Sequence, residues 1–388
     1  MPPVTTEARG LSNVLLNQAG TEIQVFVGFF NLSSNQTTAS INGPALAGTN
    51  APVIFNLGTV GGTSGFFPVQ TFAVTAAQVA DLRAGKWYVK VNSVNNPTGE
   101  IRGQLRSFGR RGDFDGDGLS DMSVFRPSEG NWYFLNSSDG EFRAQVLGNA
   151  NSKVVSGDYD GDGINDMAIF RVKSGYGYWD IRRSSDNALI SEQWGLSDDK
   201  PVAADFDGDG RTDLAVFRAS SGVWYVRNSS NNSLTATQWG TSEDVPVAAD
   251  FDSDGRSDIA VFRPSNGGWY ILQSADNSFY AAHWGQSGDI PNVGDFDGDG
   301  EMDITVFRPS NGVWYVLHSL DGEFSAVQFG QNGDIPVAGE FDADGLTDIA
   351  VFRPSNGMWY VLRTDDDAFV ATQFGQSGDR PAAALNMP

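Results

Sequence analysis

Six acidic segments of one design recur along the sequence, five of them as Asp-x-Asp-x-Asp-Gly-x-x-Asp and one with Glu at its head. Oxygen ligands concentrated in a glycine-containing loop are typical of a site for a hard cation, and calcium is the ion that we expect. We refer to the segments as acidic loops 1 to 6 and number the residues of each from position 1 to position 9. They begin, 45 or 47 residues apart, at Asp113, Asp158, Asp205, Asp250, Asp295 and Glu340.

The predicted ligands in each acidic loop are the carboxylates at positions 1, 3, 5 and 9 and the backbone carbonyl at position 7. Glycine at position 6 permits the sharp turn that such a loop needs. An EF-hand would require Glu at position 12, where this chain has Val or Ile, so the loops are not EF-hands. The alternative that Asp and Gly only form turns does not explain four acidic groups in fixed register. The predicted metal-binding residues are Asp113, Asp115, Asp117, Leu119, Asp121, Asp158, Asp160, Asp162, Ile164, Asp166, Asp205, Asp207, Asp209, Arg211, Asp213, Asp250, Asp252, Asp254, Arg256, Asp258, Asp295, Asp297, Asp299, Glu301, Asp303, Glu340, Asp342, Asp344, Leu346 and Asp348.

About six calcium ions would also change the charge of the whole chain, which has 48 acidic and 25 basic residues. Six divalent ions would move the net charge from -23 to -11. Because packed carboxylates repel one another, we expect metal binding and folding to be coupled, with a structural role for each ion. We expect affinities of about 10⁻⁴ to 10⁻³ M, as in extracellular modules. The same negative charge argues against nucleic acid or an anionic membrane as a partner.

The remaining composition limits the class of protein. At 388 residues the chain is long enough for two domains, and it has no cysteine for disulfides or thiolate metal sites. It has no apolar stretch of about 18 residues, so we expect no membrane-spanning helix. The opening Met-Pro-Pro-Val-Thr-Thr is not a signal peptide, so an exported protein would have a signal that this sequence does not include.

Short strands are the elements that position the acidic loops, and the fourth repeat shows them most clearly. The acidic loop lies between the first two strands, and both faces of the second strand are apolar, as expected where sheets stack face to face. Four short strands in about 45 residues is the period of a propeller blade. We therefore predict an all-β fold in which residues 107–388 form a six-bladed β-propeller. The strands predicted for this repeat are Pro246–Phe251, Ile259–Arg263, Trp269–Gln273 and Phe279–Trp284.

The two ends of the repeat region predict how the ring closes. Arg380–Leu385 resembles a first strand without an acidic loop, whereas Arg106–Gly112 is a poor first strand. In the simplest arrangement the C-terminal strand completes the first blade. A seven-bladed ring would need a blade that the sequence does not contain. If the C-terminal strand did not close its own ring, it could instead be donated to another copy.

In spacing, loop and flanking strands, these repeats resemble the FG-GAP/VCBS family of calcium-binding propellers over about 280 residues. The resemblance implies a propeller whose loops hold calcium.

Residues 1–106 lack the repeat and are predicted to form an antiparallel β-sandwich-like domain. A short helix is predicted at Thr75–Leu82, with Thr75 as its N-cap and Gly85 as its stop. Strands are predicted at Ile23–Phe30, Ala51–Leu57 and Trp87–Val91.

Three segments of this region, Pro2–Thr5, Leu82–Val89 and Asn96–Leu105, resemble the CHRD (chordin-type) domain, most specifically in the ending Gly-Glu-Ile-Arg-Gly-Gln-Leu. Family members often carry His-x-His and Asn-Val-His-Thr where this chain has Ser40-Ile41-Asn42 and Lys90-Val91-Asn92-Ser93, so any role of those histidines is absent here. Members also usually have a strand before the Pro-Pro-Val segment. We therefore expect an open sheet that another chain could fill.

Two recurring side chains have both a functional and a structural interpretation. The arginine that ends each second strand could bind an acidic sugar, but its recurrence favours pairing with a loop carboxylate or capping the turn. The tryptophans of the third and fourth strands could stack on sugars, although filling the space between blades is favoured. The arginines are Arg126, Arg171, Arg218, Arg263, Arg308 and Arg353. The tryptophans are Trp132, Trp224, Trp269, Trp314 and Trp359 in third strands and Trp194, Trp239 and Trp284 in fourth strands.

Two further patterns are expected to have no function of their own. Arg111-Gly112-Asp113 spells the integrin-recognition tripeptide, but Asp113 is also a predicted metal ligand. His283 and His318 are expected to be exposed substitutions and not a catalytic pair. Every dense carboxylate cluster belongs to an acidic loop, so we expect no enzyme.

The sequence thus favours a calcium-stabilised extracellular or cell-surface protein with a structural or adhesive role. Its expected partners are other copies of itself, joined by strand donation into a fibre or surface layer, or surface glycans and proteins. The alternative is a carbohydrate-binding propeller lectin with sugar sites between blades.

Overall fold

The structure, a computed structural model, describes residues 6, 8–16, 21–45, 49–83, 85–105, 111–342, 344–364 and 366–384. The chain folds as two units, Met1–Phe108 and Gly109–Pro388. Nearly all of the regular structure is β-strand, as predicted. No helix among these residues combines the length and the hydropathy needed to cross a membrane.

The N-terminal unit contains two antiparallel sheets and one helix. Its elements are β1 (Arg9–Leu16), β2 (Glu22–Phe30), β3 (Gln36–Asn42), β4 (Val53–Gly58), β5 (Gly65–Ala73), α1 (Ala76–Arg83), β6 (Trp87–Ser93) and β7 (Ile101–Leu105). One sheet has the order β1-β2-β5 and the other β4-β3-β6-β7. Side chains of both sheets, among them Phe29, Ile41 and Trp87, form a single apolar core. The predicted sandwich-like arrangement is confirmed.

The sequence predicts the most apolar elements of this unit and misses the more polar ones. The three predicted strands correspond to β2, β4 and β6. The helix begins after Thr75, whose Oγ1 accepts the N–H of Gln78 at 3.3 Å, while Gln78 Oε1 accepts the N–H of Thr75 at 2.9 Å. Gly85, with φ of 62°, follows the helix as its stop. The predicted segment Pro2–Thr5 lies outside the described residues.

The second unit consists of six four-stranded antiparallel sheets. Its strands are β8 (Met122–Arg126), β9 (Asn131–Leu135), β10 (Phe142–Val146), β11 (Lys153–Val154), β12 (Met167–Lys173), β13 (Tyr176–Arg182), β14 (Leu189–Leu196), β15 (Lys200–Ala204), β16 (Asp213–Arg218), β17 (Val223–Arg227), β18 (Leu234–Gln238), β19 (Val245–Ala249), β20 (Asp258–Arg263), β21 (Gly268–Leu272), β22 (Phe279–His283), β23 (Ile290–Gly294), β24 (Asp303–Arg308), β25 (Val313–Leu317), β26 (Phe324–Gln328), β27 (Ile335–Gly339), β28 (Asp348–Arg353), β29 (Met358–Leu362), β30 (Phe369–Gln373) and β31 (Arg380–Pro381). Sheets 2 to 6 each take four consecutive strands from β11 onward, and sheet 1 has the order β31-β8-β9-β10.

The six sheets pack in a closed ring. Each of six apolar clusters joins one sheet to the next, and the last cluster joins Phe352 and Trp359 of sheet 6 to Val124 of sheet 1. Both faces of each second strand are therefore buried, as its apolar sequence predicts. The six-bladed propeller is confirmed, and the described residues contain no seventh sheet.

The C-terminal strand closes this ring. In β31, Arg380 pairs with Phe125 and Pro381 with Val124, and the N–H of Ala382 donates to the carbonyl of Ser123 at 2.9 Å. The predicted closure is thus confirmed. The condition for donating this strand to another copy, that it leaves its own ring open, is not met in this structure, because its ladder partners lie in its own chain. Leu385 and the residues 106–110 of the predicted poor first strand lie outside the described residues.

The arrangement of strands within each sheet decides where the acidic loops lie. First strands of neighbouring sheets contact one another, as between β15 and β19 and between β23 and β27, so the first strands surround the centre of the ring. In sheets 2 to 6 an acidic loop connects the first strand to the second, and in sheet 1 acidic loop 1 leads into the second strand, β8. The hairpin between third and fourth strands lies beside each loop. All six acidic loops consequently lie at one end of the ring.

Candidate metal centres

The carboxylate at position 1 fixes the shape of each acidic loop. In loop 1, Asp113 accepts the N–H of Gly116 at 2.6 Å and the N–H of Gly118 at 2.9 Å. Gly118 is at position 6, and the six glycines at this position have φ between 84 and 93°, a backbone conformation that other residues rarely adopt. The glycine is therefore required by the turn, as predicted.

The carboxylate at position 9 connects each acidic loop to the hairpin beside it. One oxygen accepts the N–H of position 2 at 2.7 to 2.9 Å, and the other accepts a hairpin N–H at 2.6 to 2.8 Å. All six side chains are fully buried: Asp121, Asp166, Asp213, Asp258, Asp303 and Asp348. Asp121 and Asp303 also accept a serine hydroxyl. A buried ionised carboxylate with two or three neutral donors still has unused lone pairs, which a cation can fill.

The fold brings the predicted ligands of each described cluster into one small space. In loops 1 to 3 the carboxylates at positions 1, 3 and 9 each place one oxygen within 4.8 Å of the others, and in loop 4 positions 1, 3 and 5 do so. These clusters are Asp113, Asp115 and Asp121; Asp158, Asp160 and Asp166; Asp205, Asp207 and Asp213; and Asp250, Asp252 and Asp254. Three carboxylate oxygens at this separation fit the all-oxygen coordination that calcium prefers.

Loop 4 contains a buried oxygen that the protein itself does not satisfy. Position 4 is Ser253 instead of Gly, and Asp250 Oδ1 is buried and accepts no hydrogen bond from the described residues. The corresponding oxygen of Asp113 accepts a glycine N–H. An unpaired carboxylate oxygen in this position would be costly alone and fits a bound cation.

The clustering raises the pKa of these carboxylates. Burial, assisted by the neighbouring carboxylates of the same loop, raises the pKa of Asp113 and Asp250 to about 7. Burial likewise raises the pKa of Asp213 and Asp348, at position 9, to about 7. Negative charge is therefore unfavourable in these loops until a cation neutralises it.

Backbone hydrogen bonds connect the six acidic loops in a circle. The N–H of position 8 in each loop donates to the carbonyl of position 1 in the preceding loop, at 2.6 to 3.1 Å. The circle closes where Ser120 of loop 1 donates to Glu340 of loop 6. The donor and acceptor pairs are Asn165 to Asp113, Thr212 to Asp158, Ser257 to Asp205, Met302 to Asp250, Thr347 to Asp295 and Ser120 to Glu340. Each acidic loop is thus hydrogen-bonded directly to both of its neighbours in the ring.

Loops 3 and 4 differ from the others because an arginine occupies position 7. Arg211 and Arg256, predicted to offer only a backbone carbonyl, also pair through their guanidinium groups with the position 5 carboxylate of their own loop. The Nη2–Oδ2 distances are 2.8 Å to Asp209 and 2.5 Å to Asp254. This pairing reduces the negative charge that these two loops can offer to an ion.

His318 lies against loop 5, contrary to the prediction that it is an exposed substitution. Its Nδ1 is 3.6 Å from a carboxylate oxygen of Asp297 and 3.6 Å from one of Asp303. Nδ1 is buried without a hydrogen-bond partner among the described residues, whereas Nε2 lies 3.2 Å from the hydroxyl of Ser325. Loop 5 can therefore offer one nitrogen with two carboxylates. His283 is exposed, as predicted.

The arginines that end the second strands have the structural role that recurrence predicts, but with a different partner. Five of them form two parallel hydrogen bonds, at 2.7 to 2.9 Å, with a buried Asp that precedes a first strand. These pairs are Arg126–Asp379, Arg218–Asp199, Arg263–Asp244, Arg308–Asp289 and Arg353–Asp334. The partner is therefore not an acidic-loop carboxylate. A second Asp series spaced 45 residues apart is the sequence signal that could have identified it.

Sheet 2 is the exception to this pairing. Ser152 stands where the other sheets have the buried Asp, and Arg171 pairs instead with Asp180 of β13. Each of the six arginines also lies over the ring of a third-strand Tyr, between 4.3 and 5.1 Å from its centroid. The arginines are thus engaged on two sides and do not present a free guanidinium to an acidic sugar.

The positions of the tryptophans and of the Arg-Gly-Asp tripeptide also favour structural roles. The five predicted third-strand tryptophans are fully buried. Trp239 and Trp284, which end fourth strands, are half-buried and donate Nε1–H to a carbonyl of the next sheet at 3.0 and 3.1 Å. Asp113 is 4 % exposed, so the tripeptide does not present its carboxylate to a receptor.

Comparison with known families matches both units. The CHRD domain matches residues 1–105, and the FG-GAP-like repeat matches residues 113–169, 205–261, 250–306 and 295–351. None of the curated proteins is similar enough in sequence to count as a match.

Several solved structures are similar to this chain at low sequence identity. An Agrocybe aegerita lectin that recognises non-reducing terminal N-acetylglucosamine is 16 % identical, with 87 % of this chain and 94 % of that chain covered and a TM-score of 0.45. The Dos1 propeller is 12 % identical, with 98 % and 86 % covered and a TM-score of 0.39. The dihydro-heme d1 dehydrogenase NirN is 13 % identical, with 78 % and 74 % covered and a TM-score of 0.38.

The FG-GAP-like matches cover more than half of the chain, and the six sheets place every matched repeat across two consecutive blades. The chain therefore belongs to the FG-GAP-like repeat family and carries a CHRD domain ahead of its propeller.

Proposed function

We propose that this protein is a calcium-stabilised structural or adhesive protein of the cell exterior. The observation that carries the proposal is the set of buried carboxylate clusters in acidic loops that are themselves hydrogen-bonded in a circle. About six calcium ions would neutralise these clusters and hold the ring rigid. Because each cluster also has hydrogen bonds that shape its loop, the ions would serve stability and not catalysis.

The extracellular assignment follows from the affinity that such loops offer. Sites with dissociation constants of about 10⁻⁴ to 10⁻³ M are filled only where calcium is in the millimolar range, as it is outside cells. The arginines within loops 3 and 4 favour the weaker end of this range. A protein of this design is folded and rigid outside the cell and unstable without calcium.

The adhesive part of the proposal includes association between copies through the N-terminal unit. The edge strands of its two sheets are β1, β5, β4 and β7, and Phe66 and Val69 of β5 are more than half exposed. Pro68 removes one backbone donor from β5, which blunts this edge, so β1, β4 and β7 offer the more complete hydrogen-bonding rows. Strand addition at such an edge would join copies into a fibre or surface layer.

The central experiment measures calcium binding by isothermal titration of the full chain and of the Asp160→Asn variant. Asp160 is at position 3 of loop 2, where its Oδ2 accepts the hydroxyl of Ser185 at 2.5 Å, a bond that the amide can reverse. We expect about six sites in the wild type and one fewer, or one about tenfold weaker, in the variant. A chain that binds no calcium at 10 mM would refute the proposal.

Two further measurements separate the adhesive proposal from a lectin. Light scattering coupled to size-exclusion chromatography should show association at high protein concentration in calcium and monomer in chelator. A persistent monomer would remove self-assembly from the proposal. A glycan array that gives specific binding, lost when Trp239 is replaced by Leu, would make the protein a propeller lectin instead.

A further inference from the structure

The mouth of the ring opposite the acidic loops is divided into a cationic half and an apolar half. In every sheet, the residue that opens the first strand pairs with the Phe of the second strand, so the six occupy equivalent places. In sheets 1, 2 and 3 this residue is a cation, and in sheets 4, 5 and 6 it is aliphatic. In sheet order the six are Arg380, Lys153, Lys200, Val245, Ile290 and Ile335.

These residues belong to the first strands, which surround the centre of the ring, and they are reachable from solvent. The first strands surround that centre, and each runs from this mouth towards its acidic loop. A five-residue strand spans about 16 Å, so the mouth is separated from the acidic loops by that distance. All six residues are half-buried.

No ion pair neutralises the cationic half among the residues that the structure describes. Within the described residues, Lys153, Lys200 and Arg380 take part in no ion pair. The carboxylates beside two of them, Asp199 and Asp379, are already held by two hydrogen bonds each from an arginine of the same sheet.

Sheet 2, in the middle of the cationic half, lacks a negative charge that the other sheets have. The residue before Lys153 is Ser152, where the other five sheets have an Asp, and Arg171 is neutralised elsewhere by Asp180. The three cations are therefore an uncompensated charge of three in a chain whose net charge is -23. Such an exception is informative because the net charge of the chain repels anions.

The three cations are close enough to affect one another. Burial lowers the pKa of Lys153, and the charge of Arg380 lowers it further. Burial also lowers the pKa of Lys200, the charge of Lys153 adds to this effect, and Asp244 opposes it. Lys200 Nζ reaches towards the next sheet and donates to the backbone carbonyl of Asp244 at 2.9 Å. An anion placed between these groups would relieve their repulsion.

We propose that this mouth binds a small organic anion, with its phosphate or carboxylate group against the three cations and its apolar part against the three aliphatic side chains. Ammonium groups on flexible stems suit a phosphate as point charges, and the guanidinium of Arg380 adds a planar pair of donors. Because half of the mouth is apolar, a fully hydrated inorganic ion would not be its best ligand. This site is independent of the proposed calcium sites and of their function.

The experiment is isothermal titration of the calcium-loaded full chain with three probes: phenyl phosphate, sulfate and phenol. We expect phenyl phosphate to bind with one site, sulfate to bind about tenfold more weakly, and phenol to give no measurable heat at 10 mM. In the Lys153→Gln, Lys200→Gln double variant, phenyl phosphate should bind at least tenfold more weakly. The matched control is Lys173→Gln, which removes an exposed lysine of sheet 2 and should leave binding unchanged.

A second variant separates the loss of charge from damage to the fold. Lys153→Arg with Lys200→Arg keeps both charges and should keep phenyl phosphate binding within about threefold. The proposal is overturned if phenyl phosphate binds the wild type and the glutamine variant equally, because binding would then occur elsewhere. It is also overturned if the arginine variant loses binding as fully as the glutamine variant, or if the wild type binds neither anion.

Discussion

The two units of this protein bury carboxylates in opposite ways. In the N-terminal unit, Glu100 is 5 % exposed, and its oxygens accept hydrogen bonds from Ser93, Ser33 and Thr6. Burial alone would raise its pKa, but these donors lower the pKa of Glu100 to about 2. In the acidic loops, by contrast, burial and neighbouring carboxylates raise the pKa of Asp113 to about 7.

The difference between these sites is the ratio of donors to negative charges. Glu100 is one charge with four donors, so the protein itself stabilises the anion. Each acidic loop places several carboxylates close together, and their donors are mainly the backbone N–H groups of the same turn. A protein can therefore bury one carboxylate as an anion with hydrogen bonds alone, but a cluster of them needs protons or a cation to reduce its charge.

The largest expected effect is the removal of calcium. At ten to one hundred times the dissociation constant, each site contributes about 1.4 to 2.7 kcal/mol, so six contribute on the order of 10 kcal/mol. Chelation should lower the unfolding temperature of the propeller by about 20 °C and leave the N-terminal unit unchanged. Calorimetry of the full chain with and without chelator checks this.

Equal shifts in both transitions would contradict the distinction between the two units. Magnesium at the same concentration is the control, because it requires a smaller octahedral site and retains its waters. It should restore little of the lost stability.

The next effect is a pH dependence of opposite sign in the two units. Without calcium, Asp113, Asp213 and Asp295 have folded pKa values of about 7, above the unfolded value of 3.8, so the native propeller holds more protons than the unfolded chain. Its stability should fall as the pH rises from about 4 to 7. The folded pKa of Glu100, about 2, lies below its unfolded value of 4.5, so the N-terminal unit should lose stability as the pH falls from 4.5 towards 2.

Thermal unfolding in chelator between pH 3 and 8 measures both slopes. A propeller that becomes more stable between pH 5 and 7 in chelator would show that its carboxylates are stabilised as anions without an ion. Added calcium should reverse the slope, because only ionised carboxylates bind it.

A smaller effect is expected from Glu100→Gln. The amide cannot accept all the hydrogen bonds that the carboxylate accepts, and bonds to a charged group contribute about 1.5 to 3 kcal/mol each. We expect a loss of about 3 kcal/mol in the N-terminal unit, the same with and without calcium. Denaturant unfolding in both conditions provides the measurement. Glu22→Gln, at the exposed start of β2, is the control and should change stability by less than about 0.5 kcal/mol.

The smallest effect concerns metal preference within the propeller. Nitrogen and carboxylate ligands together suit zinc better than calcium, so His318→Gln should weaken one zinc site about tenfold and change calcium binding little. Loop 4 has Gln273 at the equivalent place, and Gln273→His should create a second zinc site. Competition with a zinc-sensitive dye measures both variants. If His318→Gln leaves zinc binding unchanged, Nδ1 is not a ligand.

The propeller is predictable in detail from the sequence because the same pattern recurs in each repeat. The loops, the strand order and the closing strand all follow from comparing copies. The less repetitive N-terminal unit was predicted only in part, because β3, with the sequence Gln-Thr-Thr-Ala-Ser-Ile-Asn, and the proline-containing β5 lack a clear alternation of apolar residues.

Within the candidate sites, sequence predicted the ligands but not their neighbours. His318 was misjudged because its position in other repeats carries Gln, Asn or Arg, and only the folded hairpin brings it beside Asp297 and Asp303. The partner of Arg126 was missed because Asp379 is 253 residues away and becomes adjacent only when the ring closes.

Ring closure through β31 also determines how the propeller would carry mechanical load. Tension applied between the segment before loop 1 and the segment after β31 would enter and leave through sheet 1 alone. Because β31 is antiparallel to β8, this tension would peel the two strands apart from the Pro381–Val124 end, beginning with the hydrogen bond from Ala382 to Ser123. The Arg126–Asp379 ion pair lies beside this ladder and would help to hold the two strands together. Tension along an assembled fibre would therefore load only the ladder between β31 and β8, and the other five sheets would carry no load.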